Sequence, residues 1–231
     1  MKEPLVLVPG LSCNAALYAP QWPALADGRP ILVADHSRDD TLSGIARRLL
    51  AAAPARFALC GLSMGGYVAL EVLRQAPERV TRLALLHTSA KPATAETNAP
   101  REQMIALAEK GAFDNVTTLL WQRLVAPARL THEPLRLLVR RMADDIGADG
   151  FVRQQRAIMG RPDSRPSLAE SSCPVLVLVG EQDEITPVAE AREMAGLVGA
   201  RGRLAIIPRS GHLSTLEDPE AVTAELLRWL G

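Results

Sequence analysis

Residues 57–66 read FALCGLSMGG, an apolar run that passes into a glycine-rich segment around Ser63. The apolar half is typical of a buried strand, and Met64–Gln75 carries a helical pattern. A serine in a sharp turn between a strand and a helix is held in a strained conformation that lifts its hydroxyl clear of the sheet. Glycines two positions before and after it, here Gly61 and Gly65, leave room for the two elements to approach. The stretch therefore predicts a turn that presents Ser63 as a nucleophile.

Short apolar runs recur along the chain and alternate with helical patterns. The alternation is typical of a mostly parallel sheet with helices on both faces, and continuous apolar runs indicate strands buried on both sides. The predicted strands are Pro4–Val8, Ile31–Ala34, Arg56–Cys60, Arg82–Leu86, Val175–Val179 and Leu204–Ile207. The predicted helices between them are Thr41–Ala53, Met64–Gln75, Val188–Val198 and Pro219–Leu230. The fold class predicted is α/β.

This alternation is interrupted once, between Leu86 and Pro174, where no strand-like run occurs. The helices predicted in that interval are Arg101–Lys110, Phe113–Val125, Glu133–Asp145 and Asp149–Met159. We expect residues 90–165 to form a helical insertion before the fifth strand. Residues 1–89 and 166–231 are then expected to form the core around the sheet.

A serine hydroxyl is a weak nucleophile at neutral pH and needs a neighbouring base. The histidines of the chain are His36, His87, His132 and His212. His212 is the strongest candidate because it follows a glycine in the loop after the last predicted strand. His87 also ends a predicted strand, where it is expected to line the pocket or to lie in the core, and the other two have weaker claims.

The base needs a carboxylate that fixes its tautomer and stabilises its protonated form. The acidic residues that follow the fifth predicted strand are Glu181, Asp183 and Glu184. Charge that develops on a substrate oxygen also needs backbone donors. One is expected to be the N–H of Met64, directly after Ser63 at a helix N-terminus. The other is expected to be the N–H of Leu11, in the loop after the first strand.

With these motifs the sequence resembles the α/β-hydrolase superfamily over nearly its whole length. The segments that carry the resemblance are Leu5–Gly10, Cys60–Gly66, Pro77–Val80, Gly180–Asp183 and Ser210–His212. The resemblance implies the α/β-hydrolase fold, with six strands in the order 2-1-3-4-5-6 and the insertion capping the active site. It also implies a catalytic triad of Ser63, Asp183 and His212, without metal or cofactor. One departure is Pro9-Gly10, where the family usually has His-Gly, so other hydrogen bonds must hold this loop.

The leading functional hypothesis is a serine hydrolase of the carboxylesterase type, acting on a small ester through an acyl-enzyme. Ser12, His87 and Trp121 are expected to line its substrate pocket. A carbon–carbon bond hydrolase, an enol-lactonase or a perhydrolase would use the same three residues. A ligand-binding or receptor protein built on the same fold is the alternative outside the enzymes.

The amino-acid composition limits the classes of binding partner and substrate that this chain can have. The 231 residues include 26 basic and 26 acidic side chains, which give a formal net charge of zero. This balance, without a basic run, argues against nucleic acid or an anionic membrane as the partner. Three scattered cysteines argue against a disulfide framework, and the absence of an apolar leader or span favours a cytoplasmic protein. The even charge and scarce aromatic residues indicate a small uncharged or weakly polar substrate, and they leave the oligomeric state open.

Overall fold

The computed structural model describes residues 2–231 and is built around one six-stranded sheet. Its strands are β1 (Leu5–Val8), β2 (Ile31–Val33), β3 (Phe57–Leu62), β4 (Val80–Leu86), β5 (Val175–Gly180) and β6 (Gly202–Ile207). They are ordered β2-β1-β3-β4-β5-β6, and every neighbouring pair runs parallel. The expected fold class and strand order are thus confirmed. Residue 1, which the predicted core included, lies outside the described residues.

β3 is longer than the apolar run indicated. Gly61 and Leu62 remain in the ladder beside Leu85 and Leu86 of β4. The pattern alone ended the strand at Cys60 because glycine is depleted in strands. The extension carries the strand directly into Ser63, so no flexible linker separates the sheet from the turn.

Helices connect the strands and cover both faces of the sheet. They are α1 (Trp22–Leu25), α2 (Leu42–Ala52), α3 (Met64–Gln75), α4 (Ala95–Glu109), α5 (Phe113–Leu124), α6 (Glu133–Met159), α7 (Arg165–Ala169), α8 (Val188–Val198), α9 (Ser214–Glu217) and α10 (Pro219–Leu230). Short 3-10 turns occur at Ala15–Tyr18, Pro77–Arg79, Pro127–Arg129 and Gly199–Arg201. Across residues 2–231, no helix is both long and apolar enough to span a membrane.

Alternate residues of each strand enter two separate apolar cores, one on each face of the sheet. In β1, Val6 and Val8 belong to the core that contains buried residues of α2, α3 and α8. Leu5 and Leu7 point the other way, into the core shared with the 15–25 segment and α10. Burial on both faces explains why the strands read as continuous apolar runs rather than as alternating patterns.

The helices between β4 and β5 differ from the prediction at two places. α6 runs from Glu133 to Met159 as one element, with a kink at Gly147 (φ 70°, ψ 169°), where two helices were expected. Glycine adopts this positive φ without the steric cost that other residues meet. α4 begins after Thr94, whose side chain forms a capping box with Thr97, and it continues through Pro100. The prediction began this helix at residue 101, because a proline inside a helix removes a backbone donor and usually breaks it.

Candidate active site

Ser63 occupies the turn from β3 to α3 in a backbone conformation that side chains rarely adopt. Its φ is 55° and its ψ −114°, which costs a non-glycine residue about 1–3 kcal/mol. A Cβ added to Gly61 would lie 2.1 Å from the Gly65 carbonyl oxygen, and one added to Gly65 would lie 2.0 Å from the carbonyl oxygen of Val8. The Ser63 N–H donates to the Leu86 carbonyl at 2.8 Å. These contacts hold the strained turn in place, and only glycine fits on either side of it.

The Ser63 side chain lines a cavity of about 490 Å³ that lies over the carboxyl ends of the strands. One wall comes from the loop after β1, including Leu11 and Ser12, and His212 also lines the space. The opposite wall comes from the inserted helices α4, α5 and α6, with Met104, Trp121 and others. The structure therefore places Ser12 and Trp121 where the pocket was expected.

His212 is held against Asp183 at the edge of this cavity. Asp183 follows β5 and His212 follows β6, so neighbouring parallel strands bring the two side chains together. The Nδ1 atom of His212 lies 2.8 Å from Oδ2 and 3.0 Å from Oδ1 of Asp183. Because an ionised carboxylate only accepts hydrogen bonds, Nδ1 carries the proton and Nε2 is left as the basic nitrogen.

The Asp183 carboxylate accepts several further hydrogen bonds. The backbone N–H groups of Ile185 and Thr186 donate to Oδ1 at 2.9 and 3.0 Å, and the Thr186 hydroxyl donates to Oδ2 at 2.9 Å. Burial opposes ionisation of Asp183, but electrostatic attraction to His212 and hydrogen bonds from His212 and His87 outweigh it. The pKa of Asp183 is therefore held well below its ordinary value, and the side chain is a fixed anion at neutral pH.

Ser63 and His212 both line the cavity, but no hydrogen bond joins their side chains. His212 has hydrogen bonds only through Nδ1, and the Ser63 hydroxyl has none of its own. Catalytic hydrogen bonds are often long before a substrate binds. Ser63 Oγ and His212 Nε2 therefore have no hydrogen bond to another group among residues 2–231.

The two backbone N–H groups expected to hold an oxyanion are also without acceptors among residues 2–231. Neither Leu11 nor Met64 donates a hydrogen bond from its backbone nitrogen. Met64 is the first residue of α3, where the helix dipole favours negative charge. Leu11 lines the cavity beside Ser63. The positions of both donors fit the expected role.

The loop after β1 is held by two side chains that sequence reasoning did not identify. Nε2 of buried His36 donates to the Gly10 carbonyl at 2.9 Å, and the Ser12 N–H donates to Oε1 of Gln154 at 2.9 Å. Burial lowers the pKa of His36, although its hydrogen bond to Gly10 opposes this, so His36 acts as a neutral donor. These bonds are the replacement that Pro9-Gly10 required. Their partners are far apart in sequence, so no local signal points to them.

Glu217 performs a similar task for the loop that carries His212, and it was also missed. Its Oε1 accepts the N–H groups of Gly211 and Leu213 at 3.0 and 3.2 Å, and its Oε2 accepts that of Ala126 at 2.7 Å. One buried carboxylate therefore connects the His212 loop to the start of the segment between α5 and α6.

His87 requires a correction, because the structure does not place it in the cavity wall. It is fully buried behind Asp183. Its Nδ1 donates to Oδ2 of Asp183 at 2.8 Å, and its Nε2 accepts from the Ser214 hydroxyl at 2.6 Å. Burial lowers the pKa of His87, with hydrogen bonding to Asp183 opposing it. A neutral His87 therefore supports the carboxylate from the side opposite to the cavity.

We expect His87→Ala to lower the free energy of unfolding and to have only a small effect on ester turnover. The change removes one buried donor from the Asp183 carboxylate and leaves the Ser214 hydroxyl without a partner, which costs about 1–3 kcal/mol. Asp183 keeps its other donors, so we expect ester turnover to fall by no more than about tenfold. Urea unfolding measures the first effect and steady-state kinetics the second. A loss of turnover as large as that of His212→Ala would contradict this and make His87 a candidate base.

Two further groups contain residue types that can act as nucleophiles or metal ligands. Burial raises the pKa of the Cys13 thiol to about 12, so this cavity residue is not a nucleophile at neutral pH. Ligand atoms of His87, Asp183 and His212 lie within 4.8 Å of one another, the only such group found in residues 2–231. Both histidines direct Nδ1 at the carboxylate at 2.8 Å. Hydrogen bonding already accounts for the arrangement of these three side chains.

Comparison with known proteins agrees with the fold and the motifs. The model of the alpha/beta hydrolase family matches residues 4–226. An esterase from Thermogutta terrifontis superimposes with a TM-score of 0.90 at 27% identity, covering 100% of this chain and 90% of that one.

Two curated relatives match over part of the chain. The 3-oxoadipate enol-lactonase 2 of Acinetobacter baylyi is 29% identical over 165 residues, covering 70% of this chain. This chain spans only 59% of the length of that enol-lactonase. The pimeloyl-acyl-carrier-protein methyl ester esterase of Nitrosomonas europaea is 30% identical over 201 residues, covering 80% of this chain and 73% of that protein.

Proposed function

Because the chain belongs to the alpha/beta hydrolase family, we propose that it is a serine hydrolase that cleaves a carboxylic ester through Ser63, His212 and Asp183. One observation carries the proposal. A strained serine and a histidine face one cavity, and the histidine's far nitrogen is held by a buried carboxylate. These positions support the roles of nucleophile, base and orienting acid that the proposal assigns to the three side chains.

The first half of the reaction transfers the acyl group to the enzyme. Ser63 Oγ attacks the ester carbonyl carbon while Nε2 of His212 takes the hydroxyl proton. The N–H groups of Leu11 and Met64 donate to the oxyanion of the tetrahedral intermediate, and Asp183 stabilises the imidazolium. The carbon–oxygen bond to the alcohol then breaks, and His212 returns its proton to the departing alkoxide.

The second half releases the acid. A water molecule gives a proton to Nε2 of His212 and attacks the acyl carbon. The oxyanion is held by the same two N–H groups, and the bond to Ser63 Oγ breaks as His212 returns the proton to it. All three side chains end in their starting state, and the net reaction is ester plus water to acid plus alcohol.

In this proposal residues 90–165 act as a cap over the site, as their contribution to the cavity wall supports. Their apolar residues there include Met104, Leu120, Trp121, Leu124 and Val139. Such a wall suits an uncharged acyl or alcohol chain. Substrate choice would then be determined by the cap rather than by the sheet.

A lactone is the second candidate substrate, favoured by the similarity to an enol-lactonase. Opening a lactone uses the same attack, oxyanion and proton transfers. The difference is that the leaving oxygen stays attached to the acyl chain. The triad therefore suits both substrate forms.

An alkyl fluorophosphonate probe tests the nucleophile directly. We expect one covalent adduct per chain, found by peptide mass spectrometry on the peptide that contains Ser63. The reason is that Ser63 alone combines a strained turn, an adjacent base and oxyanion donors. Ser12 lines the same cavity and is the internal comparison. Labelling on Ser12 would refute the proposed nucleophile, and no labelling of the folded protein would favour a binding protein.

A further inference from the structure

Arg101 is a partly buried arginine in the cavity wall that has no acidic partner. It lies on α4 and lines the same space as Ser63. No carboxylate of residues 2–231 forms an ion pair with it, although most other arginines that line the cavity have one. A guanidinium in so enclosed a position is costly unless a negative group compensates it. The protein supplies no such group.

The hydrogen bonds of Arg101 leave the Nη2 group of the guanidinium without an acceptor among the residues that the structure describes. Its Nη1 donates to Oε1 of buried Gln155 at 2.7 Å, which fixes the plane of the group. Its Nε is buried without a partner, and its Nη2 donates no hydrogen bond. Nη2 is therefore the nitrogen that can donate a charge-assisted hydrogen bond to a carboxylate, because Nε is enclosed by protein atoms. Burial lowers the pKa of Arg101, yet a guanidinium remains charged at neutral pH.

The other charged groups that line the cavity do not compensate Arg101. Arg136 pairs with Glu133 at 3.2 Å. Arg140 lies 2.7 Å from Asp114 and 2.8 Å from Asp144. Arg123 is exposed and donates to the carbonyl oxygen of Glu184. The cavity therefore keeps an excess of positive charge. Arg101 contributes to this excess without a compensating acid.

We propose that Arg101 binds a carboxylate of the substrate, so that the natural substrate is an ester or lactone that also carries a free carboxylate. The inference rests on the proposed function and departs from the uncharged substrate that composition indicated. A carboxylate fits better than a phosphate dianion, because a single unpaired guanidinium matches one negative charge and the rest of the wall is largely apolar. Arg101 would determine specificity, while Ser63 and His212 would carry the reaction.

Matched esters test this inference. Methyl hydrogen glutarate carries a free carboxylate, and dimethyl glutarate is its neutral counterpart. We expect the wild-type protein to show a higher kcat/KM for the charged ester. In Arg101→Gln the ratio of the two kcat/KM values should fall about 10- to 100-fold, the range for a lost charged hydrogen bond. The loss should come mainly from KM for the charged ester.

Arg140→Gln is the matched control, because that cavity arginine is already neutralised by two acids. It should keep the wild-type ratio. A wild-type preference for the neutral ester, or an equal loss for both esters in Arg101→Gln, would overturn the inference. So would inorganic phosphate that competes better than acetate in an Arg101-dependent way, since the site would then be a phosphate site.

Failure of the proposed function is distinguishable from failure of this inference. If Ser63 is labelled and dimethyl glutarate is hydrolysed but the charged ester is not preferred, only the carboxylate inference fails. If neither ester is turned over and Ser63 is not labelled, the hydrolase proposal fails. Calorimetric titration with glutarate then tests Arg101 separately. Binding that is lost in Arg101→Gln and kept in Arg140→Gln supports the carboxylate site, and no binding to the wild type overturns it.

Discussion

Replacing Ser63 by alanine is expected to lower kcat for p-nitrophenyl acetate by roughly 10⁵- to 10⁶-fold. The change removes only the attacking oxygen. The cavity, His212 and both oxyanion donors remain, so KM should change little. The fold should be unaffected, because the Ser63 hydroxyl forms no hydrogen bond within residues 2–231 and alanine keeps the same Cβ in the strained turn. Initial rates corrected for spontaneous hydrolysis measure the effect.

The control for this variant is Ser43→Ala, on α2 and away from the cavity. It should keep wild-type turnover, which shows that purification and substrate background are not responsible for the loss. Turnover that persists undiminished in Ser63→Ala would refute the mechanism. It would mean that the ester is cleaved elsewhere or by water alone.

The nucleophile turn was predictable because its determinants are local. Glycines at residues 61 and 65 are required by contacts within one strand–turn–helix unit and with the neighbouring strand β1, and the structure gives the distances that exclude a Cβ. The strand order was available only through resemblance. Periodicity identifies strands but does not say which of them are neighbours.

The features that were missed depend on long-range contacts. His36 lies 26 residues from Gly10, and Gln154 lies 142 residues from Ser12, yet both hold one loop. His87 was expected in the pocket wall because it ends a strand. The end of a strand does not determine which way a side chain points, and a φ of 49° turns this residue behind Asp183. The single α6 escaped prediction because glycine at 147 signals a break as readily as a kink.

Asp183→Asn is expected to lower kcat by about 10³- to 10⁴-fold with little change in KM. An asparagine can direct its NH₂ group at His212, which favours the tautomer with the proton on Nε2 and removes the base. It also leaves the imidazolium without a compensating charge. Five donor groups now converge on the carboxylate. Asparagine offers a single acceptor oxygen to them, so stability should fall as well.

The acid side of the stability profile provides a second readout of the same variant. Because the pKa of Asp183 is depressed by folding, its contribution is fully present above its unfolded pKa and is lost as pH falls through the lower, folded value. Wild-type unfolding free energy should therefore decrease more steeply on acidification than that of Asp183→Asn. Parallel urea titrations across the acid range measure the difference. Identical pH slopes would show that this carboxyl group is not perturbed in the folded protein.

Asp163→Asn is the matched control for kcat, because Asp163 is an exposed surface residue paired with Arg165, and it should leave turnover unchanged.

If Asp183→Asn instead keeps more than about a tenth of wild-type kcat, far above the residual expected for a triad acid, another carboxylate orients His212. Glu181 and Glu184 follow the same strand and are the candidates. Glu181 already accepts the N–H of Arg209 at 3.0 Å, and Glu184 is exposed. Loss of kcat in Glu181→Gln or Glu184→Gln, with activity kept in Asp183→Asn, would transfer the role to that residue.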